Sequence, residues 1–555
     1  MRNPKPTELT AVGSVRPAVR QGWWLLLLVV LAAGAWLRVQ QFPDQVLLDD
    51  EWHAVHQLLA DKGPAELFLT FGTADYSIPL GLLYWLEMRG FGLSELAMRW
   101  PMLLASLATL GLFSAFARRR FAPPVAVLFA GLLALSPMLI VYGYTARPYA
   151  LTLLLAYLAH YAFYRYWRSE RPGPAWAAAF SAAAALCIWL HPVTGPFVVA
   201  PFLLEAARAA LSSDGQTLKR LLWLALPSGA LTAALVLPPL LADAGALGDK
   251  AGIGDLAPET LSGVWFMWLG TPSLFCVAML LLFAAVGFRD VAAATPLAGS
   301  AAVGVLLTAL ALLVSEPAWV QHPLTLGRYL LPALPLLLLA AAAGAVKLWR
   351  AIGQTHKRLG NLFAIFVVAL LLLYAVESPV WPLVRAPNSH ITHLHLQFDF
   401  REPHNRISDY QAAIPLSPFW QAMGERARGS LRVAVAPFYF ESYNWDAVRW
   451  EAVSGQRIVP AFLTGFCVDR RFGETPDDER FRWRNVYYLE SLEDAGATRP
   501  DWLVYTRPFR GFEHGKEDQS VGARVAQCAD QLRDLLGEPD YADEFLVAYD
   551  LKGRE

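Results

Sequence analysis

Apolar runs dominate the chain from residue 23 to residue 376. The first, Trp23 to Val39, is long enough to cross a bilayer with little tilt, and it follows a polar stretch carrying Lys5, Arg16 and Arg20. A basic flank ahead of the first crossing places the N-terminus in the cytoplasm. This flank, the short apolar run and Ala32-Ala33-Gly34-Ala35 also have the form of a signal peptide; the many later apolar runs favour a retained helix. From Trp52 to Asp61, Ala54, Val55, Leu58 and Leu59 recur at helical spacing beside His53, His56, Gln57 and Asp61, which predicts an amphipathic helix too short to span. After Lys62-Gly63-Pro64, Tyr76 to Phe91 carries Glu87 and Arg89 near its end and reads as a second juxtamembrane helix.

Charge order then fixes the crossings. If Ala97–Phe116 runs inward, it delivers Arg118-Arg119-Arg120 to the cytoplasm, as the positive-inside rule requires. Pro124–Tyr142 runs out, Tyr149–Trp167 returns to Arg165, Arg168 and Arg171, and Ala175–Leu190 runs out again. Pro192–Ala210 returns to Lys219-Arg220, Leu221–Leu241 goes out, Val264–Phe288 returns to Arg289, and Pro296–Val314 goes out. Leu330–Leu348 returns to Lys347, Arg350, Lys357 and Arg358, and Leu362–Val376 exits. The expectation is a mostly α, polytopic helix bundle of about eleven spans in the plasma (inner) membrane. Residues 1–22 form a cytoplasmic tail, 23–383 the membrane module with its first outer loop at 40–96, and 384–555 a soluble domain on the extracytoplasmic, periplasmic side.

Composition agrees with this frame. The chain has 555 residues, 55% of them hydrophobic and only 17% charged, with a mean hydropathy of +0.36, values foreign to a soluble domain of this length. With 46 Lys and Arg against 47 Asp and Glu, there is no basic field for a nucleic acid. Four cysteines without a CxxC exclude a zinc ribbon or a dense disulfide framework. Cys187 and Cys276 lie in apolar runs and read as small core residues; Cys467 and Cys528 share the polar C-terminal region, where pairing and free thiols stay equally open.

Beyond Pro382 the pattern changes to frequent charges, Pro and Gly. Leu431–Ala436 and Trp502–Tyr505 read as short strands and Gly522–Leu536 as helical, giving a small α/β domain. His390, His393 and His395 have a metal-like spacing without a nearby Cys or acid set, and read as a solvated linker.

The candidate chemistry lies in the outer loops. Leu47-Leu48-Asp49-Asp50-Glu51-Trp52-His53 places three consecutive carboxylates directly after the first span. Such a cluster at a bilayer surface is a site for protons and cations; alternatively an aspartate caps the following helix and Glu51 sits in its positive first turn. On the same face fall Tyr142–Tyr149, Leu190-His191-Pro192 and Gln321–Tyr329, which bring Arg147, Tyr149, His191, His322, Arg328 and Tyr329 to the outer mouths of spans. Two arginines facing an outer carboxylate can clamp a phosphate bidentately; the competing reading is that each snorkels to lipid headgroups.

Asp50-Glu51, Phe91–Pro101, Ala146-Arg147-Pro148-Tyr149-Ala150 and Gly327-Arg328-Tyr329-Leu330-Leu331-Pro332, in this order and at this face, resemble the glycosyltransferase C superfamily. Within it the resemblance is to the protein O-mannosyltransferase-like and lipid A aminoarabinose transferase-like enzymes of glycosyltransferase family 39, over residues 20–350. It implies transfer of a sugar from a polyprenyl-phosphate donor to an acceptor hydroxyl on a glycan, lipid or protein at the outer leaflet. It further implies Asp50 as general base with Glu51 beside it, and Arg147 and Arg328 as phosphate ligands. Two features depart from the pattern: Thr145 stands where an acid usually precedes Arg147, and a second aspartate is missing, a role Asp49 is placed to fill. Tyr149 and Tyr329 are expected beside the phosphate, and His53, His191 and His322 beside substrate.

The chemistry is consistent with those residue types. A carboxylate takes the acceptor's proton while guanidiniums neutralise the leaving phosphate, and one base without a second nucleophile suggests inversion. No cofactor is expected; a divalent ion on Asp49, Asp50 and His53 is the alternative source of neutralisation. Two other classes fit the span count: a transporter or lipid flippase, against which stands the absence of internal repeats, and a non-catalytic assembly subunit.

Overall fold

The computed structural model describes most of residues 17–381, with short interruptions that include 43–50, 60–61 and 72–76. Beyond them it describes 416–436, 450–463, 480–482, 486–487, 499–506 and 529–554, with single-residue interruptions. Asp49, Asp50, the three histidines at 390, 393 and 395, Cys467 and Cys528 lie outside the described residues, as does the side chain of His53.

Helix α1 (Pro17–Val39) leads into a loop that carries α2 (Trp52–Leu59), α3 (Pro64–Leu69) and α4 (Ile78–Gly90). The two juxtamembrane helices expected in this loop are α2 and α4. There follow α5 (Glu95–Arg120), α6 (Pro123–Leu135), α7 (Pro137–Val141), α8 (Tyr149–Trp167), α9 (Pro174–Leu190), α10 (Gly195–Leu211) and α11 (Gly215–Ala242). The module closes with α12 (Ala244–Gly248), α13 (Pro258–Leu269), α14 (Leu274–Ala294), α15 (Pro296–Ser315), α16 (Pro323–Tyr329), α17 (Ala333–Thr355) and α18 (Lys357–Glu377). Eight of the described helices are long and apolar enough to cross a membrane. Their outward faces expose Leu25, Leu226, Leu241, Val314 and Leu372, side chains that water would penalise and lipid accepts. The protein is a multi-pass membrane protein.

Three expected spans are divided or begin late. The Pro124–Tyr142 run divides at Ser136-Pro137 into α6 and α7, because Pro137 lacks the N–H that would continue the ladder. The Val264–Phe288 run divides at Gly270, whose φ of 62° is left-handed and ends α13, so that the crossing helix starts at Leu274. The run expected to start at Leu330 enters helix at Ala333, behind the separate short helix α16.

Close helix approach is set by small residues. A Cβ on Gly287 would lie 2.0 Å from the Ala340 carbonyl oxygen, and one on Gly344 would lie 1.9 Å from that of Phe283, so α14 and α17 touch backbone to backbone. In lipid, where apolar burial gives little drive for association, such contact supplies the packing. At the other end of the core, Gly34 lets α1 approach Ala134 of α6. Arg38, fully buried, donates from Nε to Ser106 Oγ at 2.9 Å and from its Nη atoms to the carbonyls of Gly34, Leu133 and Ala134, joining α1, α5 and α6.

The C-terminal part contains a five-stranded sheet. Strands β1 (Arg432–Ala436), β2 (Arg457–Pro460), β5 (Trp502–Thr506), β6 (Tyr541–Ala542) and β7 (Leu546–Asp550) lie in the order β2-β1-β5-β7-β6, with β3 (Phe462–Leu463) and β4 (Val486–Tyr487) paired separately. The first three of that order are parallel and β7 is antiparallel to both its neighbours. Both expected strands are present as β1 and β5, and residues 529–536 are helical. Among the described residues, the domain meets the membrane module where Leu93 N donates to the Arg480 carbonyl at 2.8 Å and Arg482 N donates to the Leu93 carbonyl at 2.7 Å. Phe481, buried, forms an isolated parallel bridge with Leu93.

Replacing Gly344 by Leu forces the α14–α17 contact apart and is expected to cost about 1–3 kcal/mol. Thermal unfolding of the detergent-solubilised protein should show a lower midpoint than a control, Gly173→Leu, where a Cβ meets nothing.

Candidate functional site

Glu51 and Arg99 form the base of the site. Arg99 lies one turn into α5, whose N-terminus is capped by Ser94 accepting from Ala97 N. Its side chain is fully buried, and it meets Glu51, 1% exposed, through two parallel bonds: Nε to Oε1 at 2.7 Å and Nη2 to Oε2. The fork geometry of guanidinium and carboxylate makes this pairing directional as well as charged. Glu51 Oε1 also accepts from Ala146 N at 2.7 Å, which ties the loop before α2 to the residue preceding Arg147. Tyr84 of α4 adds a second tie, donating to the carbonyls of Met98 at 3.1 Å and Ala146 at 3.5 Å.

The turn from Tyr142 to Pro148 is wound tightly by its own backbone. Thr145 N bonds to the Val141 carbonyl and Arg147 N to that of Thr145, while Thr145 Oγ1 donates back to Val141 O at 2.7 Å. Gly143 is required here, since a Cβ would lie 2.5 Å from Ser106 Oγ. This turn delivers Arg147, 7% exposed, and the ring of Tyr149, which packs edge-on against Tyr142 at 4.7 Å.

Helix α16 delivers the other arginine. It is capped by His322, whose Nδ1 accepts from Leu324 N at 3.3 Å, and is held by Trp268 of α13 donating to the Gly327 carbonyl at 2.9 Å. Thr260 bonds to the Gln321 carbonyl, and Tyr157 of α8 to that of Pro332, so both ends of the segment are fixed. The Arg328 guanidinium lies 5.4 Å from the Tyr149 ring and 5.8 Å from that of Tyr329, within cation–π range.

His191 sits between the two arginine segments, in the break after α9. Its ring lies 5.5 Å from Tyr149 and 5.4 Å from Tyr329. Burial, then the charges of Arg147 and Arg328, pull its pKa down to about 3, so the ring is neutral at physiological pH. Five of the residues picked out from the sequence thus form one cluster: Arg147, Tyr149, His191, Arg328 and Tyr329. His322 acts on this cluster as a helix cap. Glu51 joins it through the backbone of residue 146. A small cavity beneath Tyr142 is lined by Arg38, Ser106, Thr109, Leu153 and Leu331.

Sequence reasoning misses the buried partners. Arg99, Tyr84 and Trp268 each fix a segment that carries a candidate residue. The legible signal for Arg99 is a cation inside an apolar helix, which requires a partner at membrane depth.

Residues 78–241 match the family of dolichyl-phosphate-mannose-protein mannosyltransferases. The match covers less than a third of the chain and makes that segment similar to this mannosyltransferase family. No curated protein matches the chain. Among solved structures, ArnT from Cupriavidus metallidurans bound to undecaprenyl phosphate is 13% identical, with 88% of this chain and 93% of that one covered at a TM-score of 0.42. Its apo state is 14% identical, covering 96% and 98% at 0.44. The oligosaccharyltransferase of Archaeoglobus fulgidus in the apo form is 12% identical, covering 79% and 64% at 0.42.

Removing the Glu51 carboxylate leaves a buried, unpaired guanidinium, so Glu51→Gln is expected to cost about 3–5 kcal/mol. Arg99→Lys should fail to restore the bidentate pair. Thermal unfolding and turnover measured together should fall in parallel for both variants.

Proposed function

We propose that the protein moves a sugar from a polyprenyl-phosphate donor to an acceptor hydroxyl of a glycan, lipid or protein on the outer face of the plasma membrane. The observation that carries this reading is the convergence of Arg147 and Arg328 on His191, with the Tyr149 and Tyr329 rings between them. Two cations at the ends of helices, Arg328 lying over aromatic faces, suit a lipid phosphate, whose charge grows as the sugar departs. Asp50 is the general base. It directly precedes Glu51, and consecutive Cα atoms lie about 3.8 Å apart; Glu51 in turn bonds to residue 146 beside Arg147. Asp49 is the second carboxylate, and His53 is a substrate-binding residue.

In the reaction the acceptor oxygen attacks C1 as its proton passes to the Asp50 carboxylate. The bond from C1 to the phosphate oxygen breaks with its electron pair remaining on phosphate, giving inversion in a single displacement. Glu51 and Arg99 position the acid loop and the Arg147 turn without touching substrate.

This assignment carries a topology with it. Eleven crossings are obtained by adding α6 with α7, α8 and α9 to the eight long spans. The loops bearing Glu51, Arg147, His191 and Arg328 then share the outer face, and Arg118–Arg120, Arg220 and Lys347 share the cytoplasmic one. The N-terminus is cytoplasmic and the sheet domain is periplasmic, on the side of the site, where it selects the acceptor.

Purified protein given a polyprenyl-phosphate sugar and acceptor should release free carrier lipid. Asp50→Asn should slow release by about 10²–10⁴-fold, and Arg147→Ala and Arg328→Ala each by about 10²–10³-fold. Movement of intact donor across vesicles without cleavage would instead identify a transporter.

A further inference from the structure

Arg38 is a fully buried cation that the proposed reaction does not use. Every acceptor it meets among the described residues is a neutral oxygen: Ser106 Oγ at 2.9 Å and the carbonyls of Gly34, Leu133 and Ala134 at 2.8, 3.0 and 3.3 Å. A guanidinium taken out of water needs such acceptors, and the sequence explains why they are available here. In an unbroken helix the Leu133 carbonyl would accept from the N–H of residue 137, four positions on; that residue is proline. Helix α6 therefore ends at Leu135 with its last carbonyls unsatisfied at the negative end of the helix dipole, and Arg38 reaches them because Gly34 lets α1 approach Ala134. The arginine thus caps α6 from a neighbouring helix.

Beyond the break, the same arginine acts on α7 through one intermediary. Ser106 Oγ accepts from Arg38 Nε, which leaves its own O–H to donate to the Leu139 carbonyl of α7 at 3.2 Å. That carbonyl is open to it because Gly143 N turns to the carbonyl of Ile140. Gly143 itself lies so close that a Cβ would meet Ser106 Oγ at 2.5 Å. From α7 the chain runs directly to Arg147: Thr145 N and Oγ1 both bond to the carbonyl of Val141, the last residue of α7, and Arg147 N bonds to the Thr145 carbonyl at 2.7 Å. Arg38, Ser106, Leu139 and Tyr142 also line a small cavity, so α7 has room to settle elsewhere once these bonds are lost.

We propose that Arg38 is a positioning residue for donor binding: by capping α6 at the Pro137 break and orienting Ser106, it sets where α7 delivers the Arg147 turn. The proposal rests on the reading of Arg147 as a phosphate ligand. Glu51 holds this turn at residue 146, and Ser106 holds its start through the Leu139 carbonyl and the close approach to Gly143, so both ends are fixed. The role is geometric. A hydrogen bond weakens steeply as its distance and angle depart from the optimum, and a misplacement of about 1 Å at Arg147 is enough to loosen its hold on a phosphate.

The test is calorimetric titration of the full-length protein in detergent with a polyprenyl monophosphate. Arg147→Ala should weaken binding by about tenfold to a hundredfold, and Arg38→Gln, with Arg147 intact, by about tenfold. In the double variant, Arg38→Gln should add less than about twofold to the loss from Arg147→Ala, because it acts through that side chain. Ser106→Ala is expected to follow the same pattern. Damage to the fold alone would lower the number of binding sites per chain and leave the dissociation constant unchanged, so one titration separates the two roles. A dissociation constant unchanged in Arg38→Gln, or an effect that multiplies in full on that of Arg147→Ala, overturns the proposal. Where Arg38→Gln does not fold, the Ser106→Ala cycle decides it on the same terms. Carrier binding untouched by Arg147→Ala contradicts the phosphate clamp itself, an outcome distinct from failure of the Arg38 assignment alone.

Discussion

The Glu51–Arg99 pair is the contact on which the rest of the site depends. Taking two charges out of water costs several kcal/mol per ion, and the attraction between them offsets that only when the geometry is close to ideal. Here it is: both guanidinium bonds are made, and the remaining capacity of Oε1 is taken by the Ala146 N–H. Such a pair adds little to stability over a well-packed apolar substitute. Its value is registry. It joins three segments far apart in sequence, the acidic loop, the start of α5 and the Arg147 turn, at one point, and a slip in any of them would leave a buried charge against an apolar wall.

Around that anchor the cluster of cations is itself a costly arrangement. Arg147 and Arg328 both act on one imidazole, and like charges brought together from water are unfavourable unless something offsets them. The aromatic faces of Tyr149 and Tyr329 offset part of it for Arg328. On the proposed reading a lipid phosphate would meet cations already held in place, so that they need not reorganise as its charge develops. The fixed ends of α16, through Trp268, Thr260 and Tyr157, serve that rigidity.

Much of this is legible in the sequence. Hydropathy and the positions of arginine runs locate the crossing segments, since burial in lipid and the positive-inside rule act on composition over some twenty residues. The same averaging hides the breaks at Ser136-Pro137 and Gly270, which alter backbone geometry within uniformly apolar stretches. Arg147, Tyr149, His191, Arg328 and Tyr329 stand out because short polar motifs lie at span ends on one face. The partnership of Glu51 with Arg99 does not, because residues 48 positions apart signal contact only through the fold. That His322 also caps α16 does not read from sequence, since a cap is recognised only once the helix start is known. The role of Gly287 and Gly344 is likewise invisible, as glycine in an apolar helix looks the same whether it faces lipid or another backbone.

The most direct test of the account is an experimental structure of the full-length protein with a polyprenyl monophosphate bound. The phosphate should lie within hydrogen-bond reach of the Arg147 and Arg328 guanidiniums, with the Asp50 carboxylate opening onto the same hollow. A phosphate bound away from these arginines, or an Asp50 directed to the opposite side of the Glu51–Arg99 pair, would contradict it.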